Sequence, residues 1–233
     1  MILLLAALAA AMPAAAPAAA ASCPNVVTPE ALVCRALDAQ KHGDLQGSAR
    51  AFEQAALASP GKESANGRLW AAAGNMWIAA NGPAQAAADL DKALAASGLT
   101  GQQRGEVLLD RARAAEAQDD LKTARAKLDE AAATISDDPF TWYFSAALAI
   151  REKDLATAQA AIAKALALAP SDPVILFEAG HVADLAGDVD KARSYWMRAA
   201  GSDPNGDVGK AAAKAVEMLG VTPTVKLEPA EPR

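Results

Sequence analysis

The sequence predicts an all-α fold, in which antiparallel helix pairs stack on one another and a C-terminal helix covers the last pair. Three observations predict it: an excess of alanine, few aromatic residues, and a helical pattern that recurs at a fixed spacing. Alanine accounts for 64 of 233 residues and aromatic residues for 4%. Alanine is the best helix former, whereas strands favour β-branched and aromatic side chains, so this composition argues against a β-sandwich or barrel.

The charge balance narrows the class of partner. Charged residues make up 21% of the chain, and the formal net charge is -6. The mean hydropathy is +0.07, typical of a soluble, mildly acidic protein. Nucleic acids and anionic membrane surfaces attract clustered Lys and Arg, and the chain has no such cluster. We therefore expect no nucleic-acid partner.

The N-terminal segment has the pattern of an export signal. Residues 1–22 carry no charged side chain, and an apolar run from Ile2 to Met12 precedes small residues and two prolines. This pattern predicts a signal peptide that is cleaved in the alanine-rich stretch, although the usual positive n-region is missing. A membrane span is the alternative, but it needs about 20 strongly apolar residues and alanine contributes little to insertion. We expect an exported, periplasmic protein.

The two cysteines leave two interpretations open. Cys23 and Cys34 are an even pair in a chain predicted to enter an oxidising compartment, which favours a disulfide. Closing a ring of about a dozen residues is worth about 3 kcal/mol by chain entropy. Alternatively, the sequence at 20–23 resembles the lipobox of bacterial lipoproteins. Acylated Cys23 would then anchor a structural or assembly component to the outer membrane, and Cys34 would stay unpaired.

A repeated pattern sets the predicted architecture. A small residue is followed four positions on by a large apolar residue and three further on by alanine, as in Ser48, Phe52 and Ala55. The closing alanines are 38, 38, 34 and 34 residues apart: Ala55, Ala93, Ala131, Ala165 and Ala199. Because a single helix pair cannot bury its apolar face, such units must stack.

The upstream half of the pattern makes the resemblance specific. Trp70, Gly74 and Trp77 stand at the W-x2-x-G-x2-Y spacing of tetratricopeptide repeats, and the spacing recurs around Gly180. The chain resembles an exported bacterial tetratricopeptide-repeat (TPR) protein, and the resemblance implies a right-handed superhelix of stacked antiparallel helix pairs, a TPR-like α-solenoid. In this register the five units are 29–62, 67–100, 105–138, 139–172 and 173–206.

Start and stop signals support the helix pairs. Thr28-Pro29, Asp138-Pro139 and Asp172-Pro173 each place an N-cap residue before a first-turn proline. Turn residues separate the paired helices at His42-Gly43-Asp44, Asn81-Gly82-Pro83, Gln118-Asp119-Asp120 and Ala186-Gly187-Asp188.

Two segments follow the last unit. Residues 207–220 place Val208, Ala212 and Val216 at helical spacing, which predicts a capping helix. Residues 221–233 contain three prolines and no periodic pattern, which predicts a disordered tail.

The resemblance also implies where a partner binds. TPR ligands usually lie in a concave groove lined by the first helix of each unit. At these groove positions units two and three carry polar groups, whereas units four and five carry Tyr143 and Phe177. This split predicts a protein or peptide ligand with an apolar anchor towards the C-terminal end of the stack. Alternatively, these two rings pack against each other or a neighbouring helix. The groove positions are Arg68, Asn75, Ile78, Glu106, Arg113, Glu116, Tyr143, Ala147, Ile150, Phe177, His181 and Asp184.

Catalytic and metal sites are not predicted. His181 and Asp184 share a helix face, but a catalytic zinc needs about three protein ligands. No phosphate-binding glycine loop, nucleophile elbow or Cys-His pair occurs. The pairs Asp119-Asp120 and Asp137-Asp138 have the positions of turn and cap residues, and His42 lies in a turn. The sequence therefore predicts a non-catalytic scaffold of the bacterial cell envelope, without a cofactor or metal.

Overall fold

The computed structural model describes residues 23–59, 61 and 63–219, which form helices and no strand. The predicted signal peptide (1–22) and tail (221–233) lie outside the described residues. The eleven helices of the described chain are α1 (Pro29–Lys41), α2 (Leu45–Leu57), α3 (Glu63–Ala79), α4 (Pro83–Ala95), α5 (Gly101–Glu116), α6 (Leu121–Ala132), α7 (Pro139–Arg151), α8 (Leu155–Leu168), α9 (Pro173–Leu185), α10 (Val189–Ser202) and α11 (Asp207–Met218).

Each helix packs against the next one along the chain, and short turns join the members of each pair. The predicted all-α solenoid is therefore confirmed. First helices also contact each other, α3 with α5 and α7 with α9, whereas α11 packs against α10 and α9 at the end of the stack. First helices thus lie side by side in these two places, and we call the surface that they share the layer of first helices.

The extra residues of the two longer repeats lie in their first helices. The helices α1, α7 and α9 each have 13 residues, whereas α3 has 17 and α5 has 16. The helices α3 and α5 consequently begin four residues before the predicted unit starts at 67 and 105. Four residues are about one helical turn, so the longer units add a turn and keep their packing register.

The predicted N-caps are confirmed. The Thr28 hydroxyl accepts a hydrogen bond from the Ala31 amide at 3.3 Å. The carboxylates of Asp138 and Asp172 each accept two backbone N–H bonds at the starts of α7 and α9. A proline follows each cap, where its missing N–H costs no helical hydrogen bond. These caps fix where the first helices begin.

The turns within the helix pairs share a left-handed residue. The spacing of these residues equals that of the closing alanines: Gly43, Asn81, Asp119, Lys153 and Gly187, with φ between 57° and 79°. The sequence did not reveal the turn at Lys153, where φ is 61°. The next residue caps the second helix, and in four of the five turns it is aspartate: Asp44, Asp120, Asp154 and Asp188.

Small residues let the paired helices approach closely. All five closing alanines are 0% exposed, so the repeated alanine marks the core. Gly180 on α9 faces the Trp196 indole on α10, and an added Cβ would lie 2.2 Å from Trp196 Nε1. An added Cβ on Gly74 would lie 2.6 Å from Leu90 Cγ. These glycines leave room for a large side chain of the second helix.

A disulfide holds the described N-terminus on the first helix. Cys23 and Cys34 are bonded, with their Cα atoms 5.7 Å apart, which confirms the predicted pairing. Arg35 Nη2 also donates to the Val26 carbonyl oxygen at 2.7 Å. The bond uses the Cys23 sulfur, so the disulfide form cannot carry a thioether-linked lipid at that residue.

Candidate protein-binding face on the first helices

Side chains of α3 and α5 meet on the layer of first helices. Asn75 Nδ2 donates to Asp110 Oδ2 at 3.0 Å, and Arg113 Nη1 donates to Asp110 Oδ1 at 3.0 Å. Asn75 and Arg113 are predicted groove residues that the structure brings together. Asp110, which joins them, was not predicted, although it lies three residues before Arg113 and therefore on the same helix face.

Tyr143 is a half-buried residue of α7. Burial raises the pKa of its hydroxyl, the Glu178 carboxylate on α9 raises that pKa further, and the Arg113 guanidinium on α5 lowers it. The Tyr143 ring also meets the Phe140 ring edge-on, with centroids 6.4 Å apart. Tyr143 therefore lies between α5 and α9. We call the surface formed by Arg113, Phe140, Tyr143 and Glu178 the inner face.

Phe140 and Glu178 were missed by the sequence reasoning. Phe140 is 45% exposed, which is unusual for a large apolar ring on a helix that otherwise packs in the core. Its position three residues before Tyr143 could have revealed it. Glu178 could not be found in this way, because its approach to Tyr143 depends on how α9 packs against α7.

Phe177 and His181 come together in the fifth unit. Their ring centroids are 4.4 Å apart, and the His181 ring lies 5.6 Å from that of Trp196. Trp196 Nε1 donates to the Phe177 carbonyl oxygen at 2.9 Å. Phe177 packs partly against the core formed by α9, α10 and α11. The packing interpretation thus holds in part for both rings. Phe177 meets His181, and Tyr143 packs partly against the core formed by α7, α8 and α9.

The remaining predicted groove residues have separate surroundings. Glu116 forms an ion pair with Arg151, which also donates to Asp119 Oδ1 at 2.7 Å. Ile78 and Ile150 are half-buried and pack against core clusters, so their side chains contribute to stability. Ala147 is half-buried and Asp184 is also half-buried.

Two cavities open beside the first helices. One of about 520 Å³ lies between α1 and α3, with Val33, Phe52 and Leu69 on its wall and Arg68 at its polar part. The other, of about 660 Å³, lies where α5 meets the start of α7. It is lined by Gln102, Glu106, Leu109, Asp110, Thr134, Ile135, Asp137, Asp138 and Pro139. The predicted residues Arg68 and Glu106 therefore lie in different cavities.

The geometry gives no support to a catalytic or metal site at His181. Its Nδ1 lies 3.5 Å from a Glu178 carboxylate oxygen, so its ionic neighbour is Glu178 and not Asp184. Among residues 23–59, 61 and 63–219, no group of three or more His, Cys, Asp or Glu could hold a metal ion. Asp120 and Asp138 cap α6 and α7, and the bonds from Thr123 lower the pKa of Asp120. In the same part of the chain, no helix is long and apolar enough to cross a bilayer.

Comparison with solved structures identifies the class of fold. The type IV pilus biogenesis factor PilW has a TM-score of 0.67 at 20% identity, over 79% of this chain and 82% of PilW. MamA has a TM-score of 0.61 at 18% identity, over 76% and 92%. YrrB, described as a TPR protein with an unusual peptide-binding site, has a TM-score of 0.57 at 17% identity, over 79% and 91%.

The chain thus has the tetratricopeptide-repeat fold, as its repeat spacing predicted. No protein-family model and no curated protein matches the sequence. At these identities the likeness establishes the fold alone, so function has to be inferred from the face itself.

Proposed function

We propose that this protein is a non-catalytic scaffold of the bacterial cell envelope that binds another protein or a peptide on the inner face. The observation that carries the proposal is the placement of Tyr143. It lies between charged groups of two neighbouring first helices and beside the exposed ring of Phe140. An aromatic anchor with charged neighbours is the usual composition of a binding hot spot.

The cavity beside Glu106 gives the ligand a second contact. Leu109, Ile135 and Pro139 offer apolar contacts there, and Glu106 and Asp137 are exposed carboxylates on its wall. A peptide that rests an apolar side chain on Phe140 and Tyr143 and places a Lys or Arg in this cavity matches both regions. The solved structure of YrrB, with its peptide-binding site, supports a peptide ligand on this fold.

Alanine substitution on the inner face tests the proposal. We expect Phe140→Ala and Tyr143→Ala each to weaken binding of a co-purified partner about tenfold, the effect of losing about 1.4 kcal/mol at a hot spot. Met197→Ala is the matched control, because Met197 is an apolar residue that is 60% exposed on α10, a second helix. Affinity is measured with purified variants whose helical content equals that of the wild type. Equal affinities for all three variants would refute the inner face as the binding site.

Export of the chain is a separate part of the proposal. It is supported by the disulfide, which forms in oxidising compartments, and by the similarity to PilW, a type IV pilus biogenesis factor. The intact mass of protein from the envelope fraction tests it. The expected mass is that of a chain cleaved near residue 22, less the hydrogens lost to one disulfide. An uncleaved chain with free thiols, or an acylated Cys23, would contradict this form of the protein.

A further inference from the structure

A buried carboxyl group lies at the junction of the first two helix pairs. Asp89 on α4 is 2% exposed, and its Oδ1 accepts a hydrogen bond from Lys92 Nζ at 2.8 Å. The Lys92 ammonium also lies 4.0 Å from the centre of the Trp70 ring on α3. The other oxygen, Asp89 Oδ2, is buried and accepts no hydrogen bond from the described residues. An ionised carboxylate would leave that oxygen desolvated without a donor, which is costly.

A second carboxyl group from the first pair is next to it. Glu53 on α2 interacts with the Asp89 carboxyl, and Glu53 Oε1 accepts a hydrogen bond from Trp77 Nε1 at 2.7 Å. Trp77 is 6% exposed and Glu53 is half-buried, so the side of the cluster that faces Asp89 is largely covered. If both carboxyls were ionised, the Lys92 ammonium, which is half exposed, would balance only one of the two neighbouring negative charges. A single proton on Asp89 Oδ2 would supply the missing donor and bring the cluster to neutrality.

Two further cations of the described helices lie near this pair, and neither forms an ion pair with Asp89 or Glu53. From α2, the Arg50 guanidinium lies 5.9 Å from the Trp77 ring centre, over the indole. From α5, Arg111 Nε donates to Asp91 Oδ1 at 2.8 Å, so its charge is engaged by an exposed carboxylate. The helix α3 contributes the neutral indoles of Trp70 and Trp77.

We propose that Asp89 is protonated in the folded protein and donates its proton to Glu53, so that a shared proton joins the first helix pair to the second. This junction is then sensitive to pH. When the proton is lost, the buried carboxylate of Asp89 and the half-buried carboxylate of Glu53 repel each other between α4 and α2, and the first pair is held less tightly.

The electrostatic environment supports the same direction. Burial raises the pKa of Asp89 above its ordinary value, and the hydrogen bond and charge of Glu53 raise it further, against the opposing effect of Lys92. A raised folded-state pKa means that the folded protein favours the protonated form. Its stabilising contribution is complete below the ordinary pKa of aspartate and is lost as the pH rises through the raised value.

The substitution Asp89→Asn tests most directly whether the proton is shared. The asparagine side chain can donate to Glu53 and accept from Lys92 at every pH, so Asp89→Asn keeps the bond without titrating. We expect the urea midpoint of Asp89→Asn to exceed that of the wild type by a margin that grows from about pH 4 to about pH 8. Asp129→Asn is the control, because Asp129 is 69% exposed and its nearest cation, Arg125, lies 4.0 Å away; its margin is not expected to grow.

The outcomes distinguish the shared proton from an ordinary buried ion pair. If Asp89 is ionised and paired with Lys92, Asp89→Asn is less stable than the wild type at neutral pH and the gap closes on acidification. That result, or a margin that does not change with pH, would overturn the proposal. Infrared spectra provide a direct reading, since a protonated carboxyl band should persist in the wild type above the ordinary pKa of aspartate and be absent from Asp89→Asn.

A second variant, Glu53→Gln, tests the partner of the proton. The new amide can donate to Asp89 and still accept from Trp77 Nε1, so this variant lets Asp89 ionise beside Lys92 without a second charge. We expect its stability margin over the wild type also to grow with pH, and hydrogen exchange to place the difference in α1–α4. If the stability of Glu53→Gln depends on pH as that of the wild type does, the assignment is contradicted. An equal change of hydrogen exchange in α9–α11 would also contradict it.

Discussion

The contact between Gly180 and Trp196 gives the sharpest prediction for the helix packing. An alanine Cβ at position 180 would lie 2.2 Å from Trp196 Nε1 and 2.3 Å from Cδ1. The indole is 4% exposed and donates to the Phe177 carbonyl at 2.9 Å, so it cannot move without breaking that bond. Overpacking costs about 1–3 kcal/mol, and loss of the hydrogen bond costs about 1 kcal/mol. Alanine returns about 1 kcal/mol of helix propensity, so Gly180→Ala is expected to destabilise by about 1–3 kcal/mol.

The same substitution on the neighbouring helix provides the control. Gly201 lies within α10, and a Cβ added there meets no atom within 4 Å. Gly201→Ala is therefore expected to stabilise, by up to about 1 kcal/mol. Equilibrium urea unfolding followed by circular dichroism measures both changes. If Gly180→Ala is as stable as the wild type, the close approach of α9 and α10 is not the reason for glycine at that position.

Three further predictions concern the turn, the disulfide and the caps. Lys153 adopts a left-handed φ of 61°, so Lys153→Gly is expected to raise the free energy of unfolding by about 0.5–1 kcal/mol; an unchanged thermal midpoint would contradict this. Reduction of the Cys23–Cys34 disulfide is expected to lower that free energy by up to about 3 kcal/mol, tested by comparing urea midpoints with and without reductant. Hydrogen bonds from Thr157 lower the pKa of Asp154, so its stabilising effect is present above the ordinary aspartate pKa and lost as the pH falls through the lowered value. The stability gap between wild type and Asp154→Ala should therefore narrow in acid, and a gap independent of pH would exclude the capping explanation.

Most of the fold could be predicted because its determinants are local and repeated. The closing alanines recur at the repeat spacing, a cap residue followed by proline begins three of the first helices, and polar or glycine residues mark the turns. Each of these signals has a direct steric or hydrogen-bonding cause. The turn at Lys153 was missed, because a lysine carries no sequence signal for a left-handed conformation. The earlier starts of α3 and α5 were also missed, since the register does not show whether four extra residues extend a helix or a loop.

The candidate site was less predictable because it depends on contacts between helices. The register selected Arg113 and Tyr143, and the Arg113 charge lowers the pKa of the Tyr143 hydroxyl. It also selected Ile78 and Ile150, which pack against the core, because a helix face alone does not reveal how deeply a neighbouring helix covers it. The pair formed by Asp89 and Glu53 lies outside the predicted groove positions. Its two carboxyl groups interact only because α2 and α4 both pack against α3.

Site-specific photo-crosslinking tests the central claim most directly, which is that a partner binds the inner face of the stacked first helices. A photoreactive residue is placed at position 140, where Phe140 is 45% exposed, or at position 197, where Met197 is 60% exposed on a second helix. Crosslinking is carried out in living cells that contain the partner. The account predicts a discrete crosslinked partner at position 140 and none at position 197. The same partner crosslinked at position 197, with none at position 140, would contradict it.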